Sequence, residues 1–316
     1  MEDLSAMDGR HRNYGCRLRA FVWQGFHCIS MENANLRLVV CPDKGCDIVE
    51  LTHKPMDTEL LYQSPWGLGS PQDRHSGAVG GPFRDRFAGG WFLMLPNGPE
   101  PCAHHGAEFG HHGEASQLAW SSAIVADRAE RIEVVFRVRL RRMPLGVERR
   151  ISLVREGDGV TIVETVYNES GEELDVFWGH HPCLGEPFLD DGCTILLPDG
   201  QRSGIGGPVS DFRTFGAGNG LVTISNPRIG LDFLLSWDPS VFPVMGVWRA
   251  WDAGDGYPNY RSRRIIAVEP AVDFPSLAAA AVRGTALKLA PGEQKTTTLT
   301  ARIVQKAKAD RGVPAT

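Results

Sequence analysis

Three short segments of this 316-residue chain carry side chains that can move protons near neutral pH: Gly110-His111-His112-Gly113-Glu114, Gly179-His180-His181-Pro182 and, far downstream, Ala267-Val268-Glu269-Pro270. Imidazole and carboxylate are the usual acid/base pair, so histidines from two segments converging with one carboxylate would make a proton-transfer site. Glu269 closes the apolar run Ile265-Ile266-Ala267-Val268. Such a run reads as a buried strand, and its last residue either opens into a pocket or reaches solvent. His180 and His181 are neighbours, and neighbours on a strand face opposite ways. The same imidazoles permit a different chemistry. His104, His105, His111 and His112 crowd together with Glu108 and Glu114, and His180 and His181 add two more. Histidine with carboxylate can hold zinc, iron or manganese on a β-scaffold, although no spacing here matches a known metal motif.

The elements that must position these residues read as strands. Apolar residues recur with a period near two, or in short β-branched runs, between Gly, Pro and Asp. Leu36 to Val40, Ile132 to Val138, Val160 to Val163, Thr194 to Leu197, Leu231 to Leu235 and Thr296 to Thr300 all have this pattern, and the best helix candidate, Ser276 to Val282, is short and Ala-rich. One large antiparallel sandwich is the economical reading, because the glycines and prolines are spread along the chain and mark no linker. Gly67 to Gly113 reads as a single long loop, and its Phe83, Phe87, Trp91, Phe92, Met94 and Leu95 predict that it is ordered and functional.

Composition narrows the partners. The formal net charge is −5 and no block of like charge occurs, which argues against nucleic acid and membrane surfaces and favours a neutral, polar small molecule. No stretch approaches a membrane span, and Met1-Glu2-Asp3-Leu4-Ser5 lacks the pattern of a secretion signal, so a cytoplasmic protein is expected. The seven cysteines are scattered with no C-x-x-C pair, as expected for small, reduced, partly buried residues.

Further motifs fall in a fixed order. Gly89-Gly90 leads to Pro96-Asn97-Gly98, then to His112-Gly113. Asn168 precedes a turn at Glu169-Ser170-Gly171-Glu172 and a strand ending in His181-Pro182; Glu269-Pro270 and the turn Leu289-Ala290-Pro291-Gly292-Glu293 follow. In this order the motifs resemble those of the galactose mutarotase-like (aldose 1-epimerase) family. The chain departs from the family in two places. An aromatic pair often follows the His-Pro there, where this chain has Cys183-Leu184; an Arg often follows the Asn, where this chain has Gly98. Arg84 or Arg86 could replace that Arg, and Asn97-Gly98 could equally be a tight turn.

The resemblance implies an all-β fold, a large antiparallel β-supersandwich over residues 30–304 with a sugar cleft on one face. Residues 1–29 would supply an N-terminal arm and first strand, and 305–316 a flexible tail. It implies an isomerase that interconverts the anomers of a free sugar or sugar derivative. Glu269 would be the base, His181 the acid and His112 a hydrogen-bonding partner near the ring oxygen. Asn97, Arg84, Arg86 and His180 would bind substrate; Trp91, Trp178 and Trp248 are candidates either for stacking on a sugar or for the core. Neither cofactor nor metal is expected, and the partner is a small carbohydrate bound by a monomer or homodimer. Two alternatives stand beside this: a metal-dependent sugar-modifying enzyme that uses the histidine cluster, and a carbohydrate-binding protein without catalysis.

Overall fold

A computed structural model describes residues 12–73 and 81–306. Two large antiparallel sheets pack face to face. In spatial order the first contains Arg17–Trp23, Phe26–Glu32, Leu36–Cys41, Asp47–His53, Trp91–Met94, Gly179–Leu184, Arg264–Ala271, Val244–Trp251 and Val209–Gly216, with the short Thr58–Glu59 pairing beside Asp47–His53. The second runs Arg202–Gly204, Thr194–Leu196, Leu221–Asn226, Leu231–Trp237, Gln294–Gln305, Gly159–Asn168, Leu145–Val154, Arg131–Arg139 and Ser121–Asp127. This is the all-β sandwich that the alternating sequence predicts. The first two strands belong to the first sheet, so a boundary at 29 falls inside Phe26–Glu32, and position 305 is the last residue of Gln294–Gln305. The tail expected at 305–316 lies outside the described residues from 307 onward.

The second sheet shows why strands form where they do. Gly159–Asn168 buries every other residue, Val160, Ile162, Glu164, Val166 and Asn168, and leaves the alternate ones partly open. Period-two burial is what a strand with one face on a core requires. The helix also forms as expected, over Leu277–Arg283. The Ser276 side chain accepts from the Ala279 N–H at 3.3 Å, and Gly284 ends it with φ of 68°. Hydroxyl N-caps and left-handed Gly caps are the usual helix stops. No helix among the described residues is long and apolar enough to cross a membrane.

The reading of Gly67 to Gly113 as one loop needs correction. Its Trp91–Met94 segment is a central strand of the first sheet, paired with Gly179–Leu184, and the described part of the stretch also holds a short helix at Gly81–Arg84 and a hairpin of Cys102–His104 with Ala107–Phe109. Trp91, Phe92, Leu93 and Met94 are all buried. A strand covered on both faces shows a continuous apolar run, without the alternation that identifies half-exposed strands.

One charged cluster interrupts the core between the sheets. Arg149 and Glu164 are fully buried on adjacent strands of the second sheet, with Arg149 Nε 2.6 Å from Glu164 Oε1. Glu164 Oε2 also accepts from Trp178 Nε1 at 2.8 Å and lies 3.1 Å from His180 Nε2. Burial alone would raise the Glu164 pKa, but Arg149 and His180 outweigh it and hold the carboxyl down at about 2. Removing one member of such a buried pair strands the other, at about 3–5 kcal/mol. Glu164→Gln should therefore lower stability by about that amount at pH 7 in chemical denaturation. A folded-state pKa below the ordinary glutamate value of 4.5 means that this stability is present above about pH 4.5 and is lost as pH falls toward 2, so the difference between wild type and variant should shrink across that window.

Candidate active site

The register of the first sheet assembles the site. Gly179–Leu184 pairs with Arg264–Ala271 through Gly179↔Ala271 and Cys183↔Ala267, which sets His181 across from Glu269. His181 also pairs with Phe92, and Glu269 with Gly246. Residues paired across antiparallel strands point to the same face, so Phe92, His181 and Glu269 form one row. The next row on that face includes Cys183, Ala267, Trp248 and Phe212, by the pairings Ala267↔Cys183, Trp248↔Ala267 and Phe212↔Trp248. Gly246 leaves room in the row, since a Cβ there would stand 2.8 Å from the Phe212 ring.

Over this face lies a cavity of about 380 Å³, lined by Phe83, Phe87, Phe92, Phe212 and Trp248, with His111, His112, His181, Glu269, Arg84, Arg263, Glu100 and Asn259 as its polar groups. A mostly apolar, aromatic wall with a few convergent polar groups is the usual make-up of a small-molecule site. His181 Nε2 lies 3.2 Å from Glu269 Oε1. The imidazole is stacked on Phe92, with centroids 4.3 Å apart and planes 20° from parallel, and its Nδ1 meets Cys183 Sγ at 3.1 Å. With the Nδ1 edge held by the thiol, Nε2 is the atom that faces Glu269 and the cavity.

The electrostatics follow from burial. Glu269 is only 2 % exposed, and the loss of water pushes its carboxyl up to about 8. The same loss of water carries His181 down to about 3, with His111 adding to the effect. Desolvation disfavours the charged form of each group, so the two move in opposite directions. Between those limits they hold one proton between them.

His112 comes from a loop that is itself pinned. The Asn97 side chain donates to the carbonyls of Glu100 (2.8 Å) and Gly110 (2.9 Å) and accepts from the Leu277 N–H, and the His112 N–H donates to the Gly98 carbonyl at 2.8 Å. His112 takes a left-handed φ of 61° and stands 5.0 Å, ring to ring, from His181. Burial first, then His111, His181 and Arg84, hold it neutral well below the usual histidine range. Its Nδ1 has no hydrogen-bond partner among the described residues.

His112, His181, Glu269, Arg84 and Trp248 thus meet at one cavity. The other sequence candidates lie elsewhere. Asn97 is fully buried, and its amide bonds only to protein groups. His180 points into the core between the sheets, as strand alternation requires, with Trp91 Nε1 donating to its Nδ1 at 3.2 Å. Trp178 is committed to Glu164 and Trp91 to His180, so neither can stack on a ligand. Arg86 donates to the Asp73 carbonyl and lines a different cavity, beside Trp66 and Gly69. The sequence reading did not single out Arg263 or the Cys183 partner of His181. Even spacing along a strand could have found Cys183, two residues from His181, whereas Arg263 lies just before the strand Arg264–Ala271 and carries no such signal.

The crowded histidines divide in the same way. His104, His105 and Asp175 bring ligand atoms within 4.8 Å of one another and are the one such group among the described residues, but none of the three lines the cavity. Glu114 is occupied by the backbone N–H groups of Arg141 and Arg142.

This fold is that of galactose mutarotase-like proteins. Superposition on a Klebsiella pneumoniae protein provisionally named an aldose 1-epimerase gives a TM-score of 0.74 at 15 % identity, covering 92 % of this chain and 88 % of that one. A provisionally named aldose 1-epimerase of Escherichia coli K12 gives 0.62 at 16 % identity (92 % and 100 % covered), and a galactose mutarotase-like protein of Clostridium acetobutylicum gives 0.60 at 13 % (92 % and 99 %). No curated protein sequence matches significantly. Residues 23–205 match the family described as "Domain of unknown function (DUF4432)", and the chain belongs to that family.

Position 98 holds glycine for a packing reason. A Cβ at position 98 would stand 2.4 Å from the Pro275 carbonyl oxygen and 2.7 Å from the Phe177 ring. Gly98→Arg, or even Gly98→Ala, should therefore destabilise the fold by about 1–3 kcal/mol. The control Gly110→Ala, where nothing lies within 4 Å of the new Cβ, should change stability far less in the same denaturation assay.

Proposed function

We propose that this protein is an aldose 1-epimerase-like isomerase that opens and recloses the hemiacetal ring of a free sugar or sugar derivative. The observation that carries the reading is the His181–Glu269 pair, 3.2 Å apart, at the floor of an aromatic-walled cavity. Ring opening needs one proton removed from the anomeric hydroxyl and one delivered to the ring oxygen. Both oxygens sit on the same carbon, so the acid and the base must be neighbours.

The proton of the pair rests on Glu269 and first crosses the 3.2 Å contact to His181; Glu269 then takes the hydroxyl proton while His181 delivers its own to the ring oxygen. This leaves Glu269 protonated and His181 neutral, the form that burial favours. Rotation about the bond between the first two sugar carbons, and reclosure with the roles reversed, gives the other anomer and restores the pair. His112, neutral and with a free ring nitrogen, hydrogen-bonds the oxygens on that side. Trp248 and the phenylalanine rings pack on the apolar faces of the sugar.

Anomer exchange measured by NMR, together with calorimetric binding, tests this reading. Glu269→Gln and His181→Asn should each slow exchange by about 10²–10⁴-fold while affinity changes little. His180→Asn should lower the melting temperature and leave exchange largely in place, because His180 faces Glu164 in the core. Unchanged exchange in Glu269→Gln would exclude the mechanism, and sugar binding without exchange in wild type would point to a non-catalytic binder.

The pH profile is a separate test. Above about pH 8 the Glu269 proton is lost and no acid remains; below about pH 3 both groups are protonated and no base remains. Exchange should therefore hold a plateau between these limits and fall on the alkaline side near pH 8. A profile that rises through pH 8 would contradict the one-proton pair.

A further inference from the structure

Three cations among the described residues are buried: Lys44, Arg149 and Arg263. Lys44 is paired with Asp47, and Arg149 with Glu164. Arg263 is 8 % exposed, and although its carbonyl accepts from the Asp252 N–H, its guanidinium has no hydrogen bond or ion pair to any described residue. Its guanidinium lies over the Phe87 ring, 5.4 Å from the centroid, and lines the same cavity as Glu269 and His181. A charge taken out of water without a partner is costly, and folded proteins pair or ligate such groups. Glu269 is not its partner: that carboxyl pairs with His181 and makes no ion pair with Arg263. Arg84, exposed on the cavity rim, likewise has no ion pair to a described residue, and its charge helps to depress His111 and His112. Against these two guanidiniums the lining sets one exposed carboxylate besides Glu269, that of Glu100. The cavity is thus locally positive on a chain whose net charge is −5.

We infer that the substrate is an anionic sugar, and that Arg263, with Arg84 at the rim, binds its carboxylate or phosphate group. The inference rests on the isomerase reading of the same cavity and adds the class of substrate to it. A guanidinium presents planar paired donors that fit each of these anions bidentately, and charge-assisted bonds of this kind are stronger than those to hydroxyls. The Phe87 ring covers the guanidinium without offering it a hydrogen-bond acceptor, which leaves its donors for a ligand.

The test compares glucose and galactose with glucuronate, galacturonate and glucose 6-phosphate, in wild type, Arg263→Gln, Arg263→Lys and Arg84→Gln. Anomer exchange is read by NMR and binding by calorimetry, and melting temperatures establish that each variant is folded. At least one anionic sugar should exceed its neutral counterpart in kcat/KM by tenfold or more, and raised salt should weaken that preference. Arg263→Gln should reduce the anionic-to-neutral ratio by about ten- to a hundredfold, with Lys partly restoring it; whether uronates or the phosphate responds identifies the anion. Equal kcat/KM for both classes, or an equal loss for both in Arg263→Gln, would mean that Arg263 serves hydroxyl groups and would overturn the inference. If no sugar exchanges, the isomerase reading fails, but the binding arm still decides: anion-selective binding lost in Arg263→Gln supports the inference, and its absence refutes it.

Discussion

The constraint on which the site depends is the antiparallel register of the first sheet. Three pairings, Phe92 with His181, His181 opposite Glu269, and Glu269 with Gly246, place an aromatic ring, an imidazole, a carboxylate and a glycine that admits the Phe212 ring in one line across four strands. A slip of one residue in Gly179–Leu184 would turn His181 into the core and bring His180 to the cavity. The buried charges act against that slip. His180, Trp178 and Trp91 are tied to Glu164 and to one another, and a shifted strand would leave Glu164 with Arg149 alone.

Two adjacent histidines therefore meet opposite environments on one strand. His180 faces a full carboxylate in the core, where Arg149 and Glu164 set the charge balance. His181 faces Glu269, with no cation close enough to hold that carboxyl ionised. Burial is nearly complete in both places, so partners and not exposure separate the two roles: Glu164 is held down at about 2, and Glu269 is pushed up to about 8. A carboxyl near neutrality beside an imidazole can exchange protons in either direction, which is the requirement of a reaction that runs through one intermediate both ways.

Much of this was legible in the sequence, for identifiable reasons. Alternating segments such as Val160 to Val163 revealed the sandwich because one face of each is half open. The three chemical segments were visible because histidine and glutamate are rare at the ends of apolar runs. Trp91–Met94 was hidden because both its faces are covered, so its run of apolar residues resembled the ordered loop around it. Arg86 and Arg84 are two residues apart and could not be told apart, since the choice depends on how the short Gly81–Arg84 helix turns them. Arg263 went unnoticed because an arginine in Arg261-Ser262-Arg263-Arg264 looks like surface, and its burial depends on the Phe87 ring far away in the chain. Asn97 drew attention as a sugar ligand, but its amide is used up in pinning the loop that delivers His112.

Burial makes Glu269 and His181 a one-proton pair at the cavity floor. The most direct measurement is a carboxyl-carbon NMR titration of glutamate-labelled protein, with Glu269→Gln used to assign the resonance. The Glu269 carboxyl should titrate near pH 8. A midpoint in the ordinary carboxylate range, near 4.5, would contradict it.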